Sequence, residues 1–524
     1  MKKFIGFLGL LLCLCLILTG CTGGGSGIDG GAGYLDADFD VPKNLLTEEG
    51  YRTELANLLN EDNFTVADDE YLAKIDNLGD RLEEMIRYNT DELTCTGTKY
   101  YVSNDGSDDN DGKSPENAWA SLEKVNSYVF NEGDMVMFER GDTWHGYIHA
   151  KSGISYSAYG KGHKPKFLNS VDGKTYGEWV ETETENVWVL DKKINVKDIG
   201  VVVFGYDNDA PYANKETSKS KLNRNLEFVF QGPYADDGGV ENKIYLYCDQ
   251  GNPAEVYDVI EISLANDNVE MEKNTHDVTL HNLEFIFGTN LFFITGGQNI
   301  TVKYCVTGWA GGTSTGRGEA RLGGGSGAWL VCKNIVYDHC YFYQQFDSGV
   351  TPQYDYEDKT PSIFEDFITT DCLFETCEYT LEYFNTQENT TENCFKNMYF
   401  GYNFCREGGE GFGTKASQSA YVKAWSHENT CFDCVIEYNV FDRALSLTHQ
   451  INGYEQSSSG NTLSYDRIPE LKGNIYIQLK NKKFAEINKV SYKYNQETYA
   501  ELEKLGVETG ARYIFTEKQS SSEE

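Results

Sequence analysis

Two acidic side chains, Asp347 and Glu382, combine the residue type and the spacing that hydrolysis of a glycosidic bond requires. That reaction needs one carboxylic acid to protonate the leaving oxygen and one carboxylate to act as a nucleophile or to activate water. The two residues fall in successive copies of a repeat, so we expect their carboxyl groups on adjacent coils, about 5 Å apart, which suits a retaining enzyme. Glu410, in the next copy, is the alternate acid. A second interpretation places all three on a solvated surface, among 82 Asp and Glu residues.

Basic, amide and aromatic side chains near these carboxylates are candidates for holding a glycan chain. They are Arg317, Arg321, Gln353, Arg406, Lys415, Trp425 and His449. Aromatic rings offer faces for sugar stacking. The positive charges could neutralise a uronate carboxylate while the neighbouring proton is abstracted, which is lyase chemistry. A polysaccharide lyase is therefore the alternative to a glycoside hydrolase, and a non-catalytic glycan-binding or adhesive surface protein is the third possibility. The glycine-rich stretch 308–327, which contains the first two arginines, is predicted to be a lid.

The elements that must position these side chains are five short strand patterns between residues 274 and 442, rich in β-branched and aromatic residues. They recur every 32 to 36 residues, which indicates a solenoid. In the register that we predict, one column holds Cys305, Cys340, Cys372, Phe404 and Val440, preceded by Tyr304, His339, Asp371, Asn403 and Asn439. On the strands that follow, Val350, Leu381, Phe412 and Leu447 are predicted to point inward.

These patterns predict a mostly β chain that folds as a right-handed parallel β-helix with a small N-terminal helical segment. The handedness is the default for parallel crossovers. The predicted organisation is a signal peptide at 1–20, a glycine-rich tether at 21–33, a helical segment at 34–98, the β-helix at 99–451, and a capping region with a polar tail at 452–524. Residues 166–273 show strand and turn texture without a clear repeat, so we expect early coils that carry a long insertion.

A strand, an Asp/Gly turn, a short helix and a Gly-Asp strand follow one another in segments 100–112, 114–122, 133–144 and 157–165. This order resembles the opening of bacterial right-handed β-helix proteins of the pectin-lyase-like superfamily, and implies a capped solenoid. The stretches 347–353 and 406–413 are similar to ones in bacterial β-helix proteins of unassigned or glycan-degrading function. The sequence lacks the calcium-binding Asp and catalytic Arg pattern of pectate lyases and the motifs of polygalacturonases, which weakens pectin as a substrate.

Four carboxylates in one turn, Asp105, Asp108, Asp109 and Asp111, raise the possibility of calcium, because a hard cation needs several oxygen ligands from a tight loop. Their spacing does not match an EF-hand loop. The alternative is that Asp and Asn residues form turns beside glycines. The sequence predicts no other cofactor.

The chain begins with Met-Lys-Lys and an apolar run too short to span a bilayer, followed by Leu-Thr-Gly-Cys21. This ending resembles the lipobox of bacterial lipoproteins, which implies a diacylglyceryl group on Cys21. We therefore expect a membrane-anchored protein on the bacterial cell surface. The alternative is an ordinary secretory peptide with a chance cysteine.

The formal net charge of −37 makes non-specific binding of nucleic acid implausible and disfavours polyanionic substrates. A polysaccharide is the expected partner, and the protein is expected to be a monomer. Many cysteines fall at inward positions of the repeats, where stacked free thiols are the first interpretation and disulfides the second.

Overall fold

Three parallel β-sheets wound into a helix form the body of the protein. The computed structural model describes residues 39, 41–235, 238–314, 316, 321–354, 362–385, 393–414, 418–424, 429–451 and 464–518. A typical coil passes from sheet 1 (Gln298–Lys303) to sheet 2 (Val306–Ala310) and then to sheet 3 (Ser326–Trp329). Each strand pairs in parallel with the equivalent strand of the next coil. The predicted fold class, a mostly β chain that forms a right-handed parallel β-helix, is confirmed.

The strands of each sheet follow the winding of the chain. Sheet 1 consists of Lys99–Val102, Met135–Glu139, Ser155–Tyr159, His276–His281, Gln298–Lys303, Lys333–Asp338, Ser362–Thr370, Asn393–Lys396, Tyr399–Gly401, Cys431–Phe432, Val435–Glu437, Glu470–Lys472 and Glu508–Thr509. Sheet 2 contains Thr65–Val66, Thr143–His145, Lys166–Asp172, Glu284–Phe287, Val306–Ala310, Tyr341–Gln345, Leu373–Glu375, Phe404–Arg406, Val440–Asp442, Ile475–Leu479 and Arg512–Thr516. Sheet 3 contains Phe292–Thr295, Ser326–Trp329, Ser348–Tyr354, Tyr379–Asn385, Ala420–Ala424, Leu447–Ile451, Lys483–Ile487 and the antiparallel Val490–Lys493.

An antiparallel extension of sheet 2 forms the expected insertion, with its own hydrophobic cluster. Its strands are Trp179–Glu181, Val187–Leu190, Ile199–Val203, Tyr212–Lys215, Glu227–Gln231, Lys243–Tyr247 and Glu261–Leu264. Two short pairs stand apart from the three sheets, Ile148–Ala150 with Val269–Met271 and Thr313–Ser314 with Arg321–Leu322. Short elements outside the sheets are the helices Leu122–Ser127 and Pro253–Val256 and the 3₁₀ turns Pro115–Asn117, Lys219–Lys221 and Tyr465–Arg467.

Coils continue beyond the predicted end of the β-helix at residue 451. Ile475–Leu479 pairs in parallel with Val440–Asp442, and Arg512–Thr516 pairs in parallel with Ile475–Leu479. The predicted boundary was therefore about two coils too early, because the polar stretch after residue 451 separates two coils that still stack. A helix spans Gln496–Leu505 between these coils; it is capped by Asn495 and ended by Gly506 in the left-handed conformation.

Two helices lie on the outer face of sheet 2, where a helical segment was predicted. We call them α1 (Glu48–Leu59) and α2 (Asp69–Arg87). Their first turns are capped by the side chains of Thr47 and Asp68. Leucine and isoleucine side chains on one face of α2 join a shared cluster with the outward apolar residues of sheet 2. In the described part of the chain, no helix is long and apolar enough to cross a membrane.

The corner between sheets 1 and 2 corrects the predicted register. Leu373 pairs with Phe404, and Phe404 pairs with Val440. On the two coils after Cys372, the equivalent position is therefore held by Asn403 and Asn439. The sequence predicted Phe404 and Val440 there. The prediction was right for the three cysteine copies and wrong by one residue for the last two.

A buried asparagine ladder continues the cysteine column. Asn403 donates to Asn439 at 3.0 Å, Asn439 donates to Asn474 at 3.0 Å, and Asn474 donates to the carboxyl group of Glu508 at 3.3 Å. The three amides are fully buried and Glu508 is 3% exposed. Each amide also bonds to backbone groups of the neighbouring coils, so that the ladder satisfies polar groups that water cannot reach.

Glu508, which ends this ladder, should make stability depend on pH. Burial is the main cause that raises its pKa to about 8, well above the ordinary value near 4.5. A raised carboxyl pKa gives stability that is complete below pH 4.5 and is lost as the pH rises through 8. We expect Glu508→Gln to remove a few kcal/mol of this pH dependence, measured by denaturant unfolding at pH 5 and pH 8. The matched control is Glu501→Gln, at an exposed position. If the free energy of unfolding changed equally between pH 5 and pH 8 in the two variants, the prediction would be contradicted.

Eleven cysteines lie in the described chain, and all are free thiols, as the first interpretation expected. Ten are buried and Cys95 is half-buried. Burial raises the pKa of the inward thiols of Cys305, Cys377 and Cys405. Since the thiolate is the reactive form, alkylation of the folded chain at pH 8 should modify Cys95 first among these eleven and reach the others only after unfolding, as peptide mass spectrometry would report. Rapid labelling of Cys305 in the native protein would be inconsistent with this packing.

Candidate active site

The outer face of sheet 3 carries a continuous polar column. Glu382 pairs with Lys423, Lys423 with Gln450, and Gln450 with Glu486, on four successive coils. Their strand neighbours Leu381 and Val422 point into the core, so alternation along the strands turns the polar residues outward. All four polar side chains are nevertheless at least nine-tenths buried. The column is thus a row of polar side chains with little exposure to solvent.

Three carboxylates converge at one end of this column. Ser348 pairs with Tyr379, which sets Asp347 beside Glu378 on adjacent coils. Glu382 lies further along the second strand, but its carboxylate reaches back to accept a hydrogen bond from the Ser348 hydroxyl at 3.1 Å. The exposed fractions are 8% for Asp347, 2% for Glu378 and 6% for Glu382. The structure therefore brings Asp347 and Glu382 together, with Glu378 as a third acid.

Tyr379 lies on the same strand as Glu382, and Lys423 lies beside Glu382 on the next strand. The Lys423 ammonium group donates to the Tyr379 hydroxyl at 2.8 Å and lies 4.1 Å from the centre of its ring. Burial, and then the charges of Asp347, Glu382 and Glu378, raise the pKa of Tyr379 far above its ordinary value. All three carboxylates therefore act on one phenol, which stays protonated and can donate a hydrogen bond.

The predicted register on these strands was correct for one pair and wrong for the next two. Val350 pairs with Leu381 as predicted. Leu381 then pairs with Val422, and not with Phe412, because a long loop separates Arg406 from the next strand of sheet 3. This shift brings Lys423 beside Glu382. Sequence reasoning missed Lys423 and Tyr379, although the run Tyr-Val-Lys-Ala after residue 420 has the strand alternation that could have found the first of them.

Glu410, the predicted alternate acid, lies in the loop that follows Arg406. Gly411 and Gly413 of this loop lie against coil edges so tightly that a Cβ on Gly413 would come within 2.3 Å of a Glu378 carboxylate oxygen. The loop thus covers Glu378. Glu410 itself is half-exposed, and its charge acts on Glu407 and Tyr421.

Glu407, which the sequence did not single out, titrates near neutrality. Burial raises its pKa to about 7, with further contributions from the charges of Glu375 and Glu410. A carboxyl group that holds a proton near pH 7 has the property of a general acid. Its backbone is in the left-handed region, with φ of 55°, at the corner between sheets 2 and 3.

Two of the predicted substrate-binding residues lie elsewhere in the fold. Arg406 is on the outer face of sheet 2 beneath α2, where it contacts Glu375 at 2.7 Å and Asp80 at 2.7 Å. His449 pairs with Val422 and points into the core, where its imidazole bonds to the Tyr476 hydroxyl at 2.7 Å. Burial lowers the pKa of His449 to about 3, so the ring is neutral. Neither side chain lies with the three carboxylates. The helical segment covers Arg406, and His449 pairs with the core residue Val422.

Of the other residues predicted to bind substrate, Gln353 and Arg321 are in the described part of the chain. Gln353 is on the outer face of sheet 3, in line with Trp329 and Phe384. The Arg321 guanidinium lies 5.4 Å from the ring centre of Phe346, the residue before Asp347. Arg317, Lys415, Trp425 and Cys21 lie outside the described residues.

The acidic turn for which calcium was one interpretation is held by hydrogen bonds. The Asp108 carboxylate accepts from the backbone N–H groups of Ala120 and Ser121 and from the Ser121 hydroxyl. Burial alone would raise its pKa, but these hydrogen bonds outweigh burial and lower it. The Asp111 carboxylate accepts from the backbone of Lys113 at 3.1 Å. These contacts are those of turn formers.

Within the described residues, one group of side chains has the spacing that a metal ion could use. It consists of Asp338, His339 and Asp371, whose carboxylate oxygens and imidazole nitrogen lie within 4.8 Å of one another. Lys303 already contacts Asp338 at 2.5 Å, and Arg52 contacts both oxygens of Asp371, the nearer at 2.5 Å. These two cations neutralise the carboxylates. The group therefore fits an ion-pair network that fastens α1 to the β-helix.

Comparison with known proteins gives limited matches. No family model matches the chain. A stretch of 109 residues, 19% of the chain, is 34% identical to a lacto-N-biosidase of Bifidobacterium longum subsp. longum, and the match spans 7% of that protein's length.

Among solved structures, one described as a glycoside hydrolase matches 81% of this chain and 98% of its own, at 10% identity and a TM-score of 0.46. A GH136 lacto-N-biosidase from Eubacterium ramulus matches 92% of this chain and 83% of its own, at 16% identity and a TM-score of 0.31. A rhamnogalacturonan lyase matches 81% and 90%, at 11% identity and a TM-score of 0.36. The assignment of a reaction therefore depends on the chain's own residues.

Proposed function

We propose that this protein is a carbohydrate-active enzyme, a glycoside hydrolase that cleaves a glycan on the outer face of sheet 3. The observation that carries the proposal is the grouping of Asp347, Glu378 and Glu382 on two adjacent coils, where Ser348 pairs with Tyr379 and donates to Glu382. Glycosidases use a pair of carboxyl groups flanking the scissile bond. The partial match to a lacto-N-biosidase supports the same reaction class.

Asp347 and Glu382 form the proposed catalytic pair. The hydroxyl of Ser348 and the ammonium of Lys423, on the strand beside it, stabilise a negative charge on Glu382. Glu382 is therefore assigned as the nucleophile or the base that activates water. Asp347 is assigned as the proton donor to the leaving oxygen. Tyr379, protonated and held by Lys423, is placed to donate a hydrogen bond to the sugar or to the developing carboxylate.

The charge around the pair favours a neutral glycan. Glu378 and Glu486 add negative charge to the described outer face of sheet 3. Lys423 faces these acids and is already bonded to Tyr379. A polyuronate would bring further negative charge to this face, and the unfavourable interaction would be strong because the side chains are removed from water.

The test is hydrolysis of a panel of neutral and uronic glycans by the purified chain. The panel includes a lacto-N-biose-containing oligosaccharide, because the 109-residue match is to a lacto-N-biosidase. Reducing ends and absorbance near 235 nm are read together, since elimination produces an unsaturated uronate and hydrolysis does not. We expect new reducing ends from a neutral glycan without absorbance.

Other outcomes of this assay would overturn the proposal. Absorbance gained on a uronic glycan would establish a lyase. Binding without cleavage of any glycan would leave sheet 3 as a binding surface.

We propose that the enzyme acts at the bacterial cell surface, held by a lipid on Cys21. The support is the sequence Leu-Thr-Gly-Cys after an apolar run. Metabolic labelling with a fatty acid should mark the wild-type chain and not Cys21→Ser. Labelling of both forms, or of neither, would overturn the anchor.

A further inference from the structure

A second outward column runs beside the carboxylates on sheet 3. Trp329 pairs with Gln353, and Gln353 pairs with Phe384, on three successive coils. Their strand neighbours Ala328 and Tyr383 belong to the core, so the three side chains point outward. Phe384 is two residues beyond Glu382 on the same strand, which corresponds to about 6.6 Å.

The side chains of this row suit a sugar ring. Trp329 and Gln353 are half-buried, and Phe384 is 8% exposed. In the described part of the chain, the Gln353 amide and the Trp329 indole N–H have no hydrogen-bond partner. An aromatic face can stack on the C–H face of a pyranose, while an amide both donates to and accepts from its hydroxyl groups. Stacking with a few placed polar groups is how pockets hold small polar ligands.

Phe293 lies beside the row on the earlier coil, where Thr295 is the residue that pairs with Trp329. Phe293 pairs with Gly327, and its ring covers that glycine so closely that a Cβ there would lie 2.3 Å from the ring. The Phe293 and Trp329 rings have centroids 5.3 Å apart and are inclined by 45°. The absence of a side chain at Gly327 therefore lets Phe293 lie flat on the sheet, next to Trp329.

We propose that Trp329, Gln353 and Phe384 form a saccharide-binding subsite that holds one sugar unit of the chain cleaved at Asp347 and Glu382. This inference rests on the proposed function. The occupant is a neutral pyranose, stacked on Trp329 and hydrogen-bonded to Gln353. Phe293 supports the Trp329 ring from the neighbouring coil. Because the subsite is removed from the bond that breaks, its contribution is to binding, and it acts equally in the ground state and the transition state.

The experiment compares Trp329→Ala, Trp329→Phe and Gln353→Ala in the full chain. The matched control is Tyr438→Ala, which removes a half-buried tyrosine stacked on Tyr402 at the opposite corner. The substrate is the oligosaccharide of the panel that the wild type cleaves fastest. We expect Trp329→Ala to raise KM about tenfold with kcat changed less than about threefold, Trp329→Phe to recover most of the loss, and the control to match the wild type.

Binding is measured separately in the Glu382→Gln background by calorimetry, with each panel oligosaccharide in turn. Weaker binding in Trp329→Ala and Gln353→Ala would support the subsite. This holds even if the wild type cleaves no oligosaccharide, because absence of cleavage would refute only the proposed hydrolase activity. Wild-type cleavage with unchanged KM in both variants would refute only the subsite. If the wild type neither binds nor cleaves any oligosaccharide, both proposals fail. Thermal melting confirms that each variant is folded, and Trp329→Phe remains the test if Trp329→Ala does not fold.

Discussion

Replacing Glu382 with Gln is expected to lower kcat/KM on a neutral glycan by about 10³-fold or more, while the folded structure is kept. The change removes a negative charge and retains the shape and the hydrogen bond from Ser348. Loss of a group that acts only in the transition state lowers kcat and kcat/KM together. Asp347→Asn should produce a loss of similar size, because a missing proton donor removes about 10²–10⁴-fold in rate. The measurement is steady-state release of reducing ends.

The control for this experiment is Glu486→Gln, on the same outward column three coils away. It is equally buried, at 7%, and should retain wild-type activity. Glu378→Gln tests the assignment within the carboxylate group. If Glu378→Gln abolishes activity and Glu382→Gln does not, the pair is Asp347 and Glu378, which lie directly beside each other. Full activity in Glu382→Gln, Asp347→Asn and Glu378→Gln would remove this face of sheet 3 as the catalytic site.

Asn439→Ala is expected to destabilise the protein by about 3–5 kcal/mol. The Asn439 amide accepts from the backbone and the side chain of Asn403, and it donates to Phe400 and Asn474. Alanine would remove all four of these buried bonds, although Asn403 would still donate to Thr369 and Asn474 would still accept from the Asn439 backbone N–H. A buried polar group that loses its partner costs about 1–3 kcal/mol before relaxation. The measurement is the midpoint of denaturant unfolding at pH 6.

Asn299→Ala is the matched control. Asn299 accepts from Asn334 at 2.9 Å and donates to Asp277 at 2.8 Å, but this ladder is exposed to water. Water replaces the lost bonds, so the remaining cost of about 1–2 kcal/mol is that of placing alanine in the left-handed backbone of Asn299, with φ of 54°. Equal effects of the two substitutions would show that burial of the ladder at Asn439 does not govern its contribution.

The repeat was readable from the sequence because each coil needs a small inward residue at the corner after sheet 1. Cys305, Cys340 and Cys372 all meet this need, and their intervals set the register correctly. The register failed where asparagine replaced cysteine. A buried Asn is unfavourable by itself, and only the neighbouring Asn on the next coil makes it acceptable. That compensation lies between coils, so a single copy of the repeat does not reveal it.

The candidate site was predictable in part. Asp347 and Glu382 were found because their strands follow directly from a regular corner. Lys423 was missed because the loop before its strand lengthens one coil, so that the strand beside Glu382 is Ala420–Ala424 and not the segment around Phe412. Arg406 was assigned to substrate because nothing in its own segment shows that α2 covers it. Contacts between distant segments, such as Arg406 with Asp80, depend on tertiary packing.

The helical segment has a further consequence for how the protein unfolds. Thr65–Val66 adds a parallel strand beside Arg512–Thr516 in the last coil, and the other end of the segment, at Asn89, bonds to Arg140 and Asn282 in the early coils. Most solenoids contact only their neighbours, so they can fray one repeat at a time from either end. Here the helical segment contacts both the early coils and the last coil, so an end coil that unfolds must also break its contacts with the helical segment. The β-helix should therefore lose its structure as one cooperative unit, with no coil that unfolds much before the rest.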